Sequence, residues 1–251
     1  RTSQRLRSFQ FKPMDWRQDS DYAFCEQLDL AGWAWQFLRR NPLYQRDYAE
    51  FIDIWRQLEA AYGAPPQRDY YKWKQDPRAW RAEAEIAGCG TEVCPGENEQ
   101  VLIECWMGAK WGFRKFPIDP AITLPEDLAW REHPLEVGVL AAGATWQPQA
   151  EQLALTFDLS LPLPAQLEVA KRHLIAQRLA RSRVCALPAR SLREGAPRWR
   201  RSLRWLDALA TGGTQNDAIS QILASATPAQ DVATAIGLRD GGYRRLLQLE
   251  P

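Results

Sequence analysis

The sequence predicts a mainly helical α+β protein: an N-terminal helical pair, central β-hairpins and a C-terminal helix-turn-helix-like module. Three observations carry this reading. A 3.6-residue apolar period runs from Tyr44 to Tyr62 behind an Asn-Pro start signal. Short alternating segments bounded by Gly and Pro follow it in the middle of the chain. The last quarter then reads as helix, Gly-containing turn, short helix, turn and helix.

The elements follow in chain order. Residues Phe24–Arg40 form a first expected helix, with Leu28, Ala31, Ala34, Trp35 and Leu38 on one face. Asn41 caps the second, Pro42 occupies its first position, and Gly63, Pro65 and Pro66 stop it. Its apolar face is Tyr44, Tyr48, Phe51, Ile52, Trp55, Leu58 and Tyr62. Asp76–Ala87 reads as a short helix, and the Cys-containing GCGTEVCPGEN stretch as a loop. Val101–Trp106 and Trp111–Phe116 are expected to pair as strands, and Val137–Trp146 with Gln152–Leu159 as a second hairpin. A long helix is expected over Ala165–Val184, and Pro188–Pro197 reads as a linker. Helices are then expected over Arg198–Ala210, Thr214–Leu223, Pro228–Ile236 and Tyr243–Leu249. This gives two domains, residues 12–135 and 136–251.

Composition narrows the function. With 45% hydrophobic and 25% charged residues the chain has the profile of a soluble globular protein. No apolar run reaches the ~18 residues of a membrane span, and no signal peptide is visible, which points to the cytoplasm. The odd number of cysteines, five, suits free thiols. Cys89 and Cys94 lack two obvious further zinc ligands, so neither a metal nor a cofactor is expected. There is no phosphate-binding Gly-rich loop, nucleophile elbow or HExxH segment, and the only two histidines, His133 and His173, lie far apart. An enzyme is not expected.

Charge is uneven along the chain. Residues 1–160 hold 18 basic against 24 acidic residues, a balance of −6; residues 161–251 hold 14 against 7, a balance of +7. Eleven of those 14 lie between Lys171 and Arg204. Such a cluster beside a helix-turn-helix pattern points to duplex DNA, because phosphates reward Arg and Lys there. The DNA-contacting candidates are Lys171, Arg172, Arg178, Arg181, Arg198, Arg200, Arg201, Arg204, Arg239, Arg244 and Arg245, with Thr214, Gln215 and Asn216 capping and opening the middle helix. By position Pro228–Ile236 is the recognition helix, yet it offers only Gln230, Asp231 and Thr234 as readers. Base reading therefore falls either to the Thr214–Asn216 end or to the Arg-rich helices. The plain alternative for the cluster is a solvated helix face.

The aromatic residues Trp33, Trp35, Tyr44 and Trp55 fit the core of the helical pair, or alternatively an oligomer interface. Arg39 and Arg40 would meet the dipole at the end of the first helix.

The run AGWAWQFLRRNPLYQRDY, Ala31–Tyr48, resembles the signature of the proteobacterial transcriptional regulator-like domain. The segments LTFDLSLPLPAQLEVAKRHL, RWLDALATGGTQNDAISQIL and RDGGYRRLL are similar to the DNA-binding domain of type VI secretion transcription factors. The resemblance implies transcriptional control through promoter DNA by a homo-oligomer, with a hexamer among its relatives. It implies activation of type VI secretion or mobile-element genes, RNA polymerase as a further partner, and no membrane. The segment between Leu223 and Arg239 is shorter and less basic than in typical relatives, so no base-reading residues are carried over there. A rival from another class is a protein-interaction adaptor or antiactivator whose degenerate helix-turn-helix no longer reads DNA.

Overall fold

The computed structural model describes residues 11–86, 99–114, 116–132, 137–141, 143–147, 152–182, 188–212, 217–223 and 225–251. It is mainly helical with one small antiparallel sheet. The helices are α1 (Leu30–Leu38), α2 (Pro42–Tyr62), α3 (Tyr70–Gln75), α4 (Ile103–Trp111), α5 (Leu163–Ser182), α6 (Leu192–Ala210), α7 (Asp217–Ile222), α8 (Pro228–Gly237) and α9 (Tyr243–Leu246). The strands are β1 (Trp80–Ala82) and β2 (Gln100–Leu102), in register Trp80↔Leu102 and Arg81↔Val101.

Two compact units emerge: Arg1–Pro134 with Ser191–Pro251, and Leu135–Arg190. This partition differs from the expected division at residue 135, because residues 191–251 share a core with the N-terminal part. The end of the chain is tied back to the start of α6, where the Leu192 N–H donates to the Glu250 carbonyl at 2.9 Å.

In the first unit the helical pair forms as its signals dictate. The Asn41 carboxamide oxygen accepts from the N–H groups of Leu43 and Tyr44, Pro42 opens α2, and Gly63 ends it at φ 87°. The buried face of α2 is Tyr44, Tyr48, Phe51, Trp55 and Leu58, with Ile52 and Tyr62 half-buried at its edge. Below Gly63 the Arg68 guanidinium sits 3.8 Å from the Trp73 ring and 4.5 Å from that of Trp55, paired with Glu59.

The first expected helix divides in two. A 3-10 helix spans Asp19–Gln27, and Asp29 then caps α1 by accepting from the Gly32 N–H at 2.7 Å. From Trp33 to Leu38, α1 is buried all round. Residues 76–86 are not an α-helix either. The Asp76 carboxylate caps a 3-10 turn over Pro77–Ala79, after which the chain extends into β1.

The first expected hairpin is replaced by α4. Alternation over Val101, Ile103 and Cys105 reads as strand, but the same residues fit a helix, and α4 is buried nearly all round, with only Cys105 and Lys110 half-buried. Gly112 ends α4 in the left-handed region at φ 90°. Phe113 instead bridges Trp130 and stacks on it with ring centroids 4.8 Å apart. The expected linker before Pro197 is already helix: Ser191 caps α6, and Pro197 lies inside it. The apolar anchors Trp199, Leu203 and Leu206 hold the helix despite the lost N–H.

In the second unit, α5 forms as expected, but among the described residues of 137–159 no strand forms. Val137 and Val139 are 90% and 92% exposed, so the alternation there buries nothing that could hold a hairpin. The Asp158–Leu161 turn is locked onto α5 by the Gln166 side chain, which accepts from the Asp158 N–H and donates to its carbonyl, each at 2.8 Å. No described residue of α5 is buried.

Candidate nucleic-acid interface

The C-terminal module is built on α6. Its apolar stripe of Trp199, Leu203 and Leu206 faces inward, and its Arg residues project from the flanks. Trp199 lies across Gly195, where an added Cβ would stand 2.1 Å from the indole, and meets Trp33 edge-on at 5.5 Å. The helix ends at Thr211, and Gly212 turns the chain at φ 82°. Ile219 and Leu223 of the α7 region are buried, whereas Ile222 is 46% exposed. Through Val232 and Ala235, α8 buries its inner face, leaving Ala229, Gln230, Ala233 and Thr234 exposed. Ser225 donates to Asp231 at 2.8 Å, and Arg201 pairs with the same carboxylate at 3.4 Å, bracing α8 against α6. Thr214, Gln215 and Asn216 lie outside the described residues, as do Cys89, Cys94 and His133.

The structure separates the expected phosphate contacts into groups. Arg198 and Arg245 are exposed. Arg239 lies beside Asp240 at 2.7 Å, and Arg244 donates to the Lys110 carbonyl. Arg200 and Arg204 are held within the fold, both paired with Asp19 at 2.8 and 2.9 Å. Lys171, Arg172, Arg178 and Arg181 belong to the second unit. There, residues 171, 178 and 181 share one face of α5 by spacing. Arg172 bonds back to the Glu168 carbonyl, Arg178 to that of Pro188 and Arg181 to that of Gln152.

The aromatic residues Trp33, Trp35, Tyr44 and Trp55 are core. They are 1%, 0%, 0% and 8% exposed within one chain, so they offer no surface to a partner subunit. Two of them use their polar ends internally: Trp35 Nε1 donates to the Ile122 carbonyl, and the Tyr44 hydroxyl bonds to Ile118.

Arg39 and Arg40 do more than meet a helix dipole. Arg39 donates to the carbonyls of Pro120 and Ala121 and to the Thr123 hydroxyl, clamping the connecting segment onto α1. Burial, and then the neighbouring Arg40 charge, lower its pKa to about 9. Arg40 donates through Nε and Nη2 to the two oxygens of Asp207 at 2.9 and 2.8 Å. The Tyr22 hydroxyl donates to the same carboxylate at 2.6 Å. Burial first, and then the Asp207 charge, push the Tyr22 phenol far above its usual range. Both partners of the ion pair are sealed from water, with side chains 2% and 0% exposed. Neither Asp19 nor Asp207 stands out in the sequence: each meets its arginine only once the chain has folded back across more than half its length.

Comparison with known proteins finds a match in one part of the chain. No curated protein matches it, and no solved structure does. Residues 15–74 match the model of the proteobacterial transcriptional regulator-like domain. That stretch holds Asp19, Tyr22, Arg39, Arg40 and Asn41, so the matched region is also the one that grips α6. The chain carries a segment similar to a transcriptional regulator-like domain, which supports a regulatory role.

Proposed function

We propose that the chain is a DNA-binding transcriptional regulator that works as a homo-oligomer in the cytoplasm. The observation that carries the reading is the α6–α7–α8 arrangement: two helices braced at Asp231, an intervening Gly turn, and an outward α8 face of small and polar residues. The sequence assigned base reading to the Thr214–Asn216 end or to the Arg-rich helices; with that end outside the described residues, the exposed Gln230 and Thr234 of α8 are the readers we propose, and the exposed Arg198 and Arg245 contact phosphates. Lys171, Arg178 and Arg181 on α5 add a second basic face. Because the N-terminal aromatics are core, self-association falls instead to exposed apolar residues of α5, among them Leu163, Leu167 and Leu174. The family resemblance adds activation of type VI secretion or mobile-element genes, a hexamer, and contact with RNA polymerase.

The rival adaptor reading draws on the same structure: α8 carries no basic residue, and Arg200 and Arg204 are already paired. Fluorescence anisotropy of labelled duplex DNA titrated with the full chain over a salt series separates the two. The regulator reading expects binding whose log–log salt slope flattens by about one unit for each of Arg198→Ala and Arg245→Ala. An adaptor would show no binding at low salt.

A further inference from the structure

We infer that Asp19 occupies, in cis, a latent phosphate-binding cleft formed by Arg200 and Arg204 of α6, and so restrains DNA binding. The inference rests on the DNA-binding reading above. One carboxylate takes both guanidiniums: Arg200 Nη2 donates to its Oδ2 at 2.8 Å and Arg204 Nη1 to its Oδ1 at 2.9 Å. Two convergent guanidiniums are the ordinary receptor for a phosphate, and a carboxylate is its nearest protein mimic. The 3-10 helix Asp19–Gln27 also brings Glu26 to 3.7 Å from Arg200. Locally, therefore, two cations face two anions, and a phosphate gains little by approaching.

Three features distinguish this arrangement from an ordinary structural ion pair. First, the acid is the exposed partner: the Asp19 side chain is 61% exposed, against 24% for Arg200 and 13% for Arg204. The receptor is preorganised and its occupant sits on the solvent side. Second, the guanidiniums are fixed by bonds that do not involve the carboxylate. Arg204 Nε donates to the Trp16 carbonyl at 2.8 Å, and Arg200 Nη2 also donates to the Asp19 carbonyl at 2.8 Å. Third, the clamp leaves Arg200 Nε buried without a hydrogen-bond partner among the described residues, a donor the carboxylate does not satisfy. The 3-10 helix itself is anchored through Tyr22 and Cys25, which are 0% and 4% exposed. Exchange of carboxylate for phosphate thus needs only the Asp19 side chain to swing out, with the backbone staying in place.

The test is anisotropy with a mixed-sequence duplex and the full chain, over salt from about 50 to 200 mM. Wild type is compared with Asp19→Asn, Arg200→Gln and the double variant, and thermal melting checks each fold. Asp19→Asn is expected to bind more tightly and to steepen the salt slope by about one unit, so that its affinity falls ~3–4-fold further across that range. Arg200→Gln should leave the wild-type slope unchanged and flatten it only in the Asp19→Asn background. Asp19→Glu, which keeps the charge, should behave as wild type. Equal slopes for wild type and Asp19→Asn would overturn the inference while leaving DNA binding intact. Absence of duplex binding by every variant would remove the DNA-binding reading itself, and this inference with it.

Discussion

Replacing Asp207 by Asn removes one charge from the most deeply buried ion pair that joins the matched N-terminal region to α6. Asp207 accepts three hydrogen bonds, two from Arg40 and one from Tyr22, in a site closed to water. Breaking a buried pair from one side strands the other charge and costs about 3–5 kcal/mol. Two details place this case near the lower end. Arg40 Nη1 keeps its bonds to the Gln36 carbonyl and Oε1 at 2.8 and 3.0 Å, and Asn retains one acceptor oxygen. A loss of ~3 kcal/mol is a large share of a typical domain's stability, and at about 2–4 °C per kcal/mol for this chain length it lowers Tm by ~6–12 °C. Urea and thermal unfolding followed by tryptophan fluorescence measure it. Tyr22→Phe alone should cost ~1.5–3 kcal/mol, because its partner is charged. The double variant should cost less than the sum, because the two substitutions remove one shared bond. A loss under about 1 kcal/mol for Asp207→Asn, or strict additivity with Tyr22→Phe, would refute the reasoning.

Further outcomes follow from the same core. Gly195→Ala forces Trp199 out of its place against Trp33 and should destabilise by about 1–3 kcal/mol, with a shifted tryptophan emission. An unchanged spectrum and melting point would mean that α6 absorbs the methyl group without moving the indole. Burial pushes the Cys25 thiol up to about 12, against ~8.5 in an unfolded chain. A raised folded pKa gives stability that is complete below pH ~8.5 and is lost as pH climbs toward 12, about 2 kcal/mol by pH 10. Urea midpoints at pH 7 and 10 should therefore converge in Cys25→Ala relative to wild type; equal pH dependence in both would contradict this. A fragment of residues 191–251 lacks Arg40, Trp33 and Trp130, so its circular dichroism should be that of a largely unfolded peptide. Cooperative melting of the fragment would show that the C-terminal helices form an independent domain.

Legibility in the sequence tracked how local each determinant is. The bounds of α2 were legible because Asn41, Pro42 and Gly63 act within one turn of themselves. The Gly-containing turn after α6 was legible for the same reason, and Gly212 takes the positive φ there. By contrast α4 is expected as a strand, since a short, largely apolar stretch satisfies a strand period as well as a helical one until its neighbours decide. Pro197 misled in the opposite direction, because a helix with strong apolar anchors tolerates a proline that local rules treat as a stop. The excess of basic residues in the C-terminal part is visible in the sequence. It could not show that Arg200 and Arg204 meet Asp19, which lies 181 and 185 residues away in sequence. Nor could it show that Arg40 reaches Asp207 across 167 residues. Trp33, Trp35, Tyr44 and Trp55 illustrate the same limit: their pattern fits most simply a core but also an interface, and their burial separates the two.

The most direct test of DNA recognition by the α6–α7–α8 module is selection of bound duplexes from a random-sequence pool by the full chain, repeated with Gln230→Ala. The wild-type pool is expected to converge on a motif with at least one strongly preferred A·T pair, since Gln contacts adenine bidentately, and this preference should relax in Gln230→Ala while retention of DNA persists. A pool that stays random after repeated rounds, or an identical motif from both proteins, would contradict this expectation.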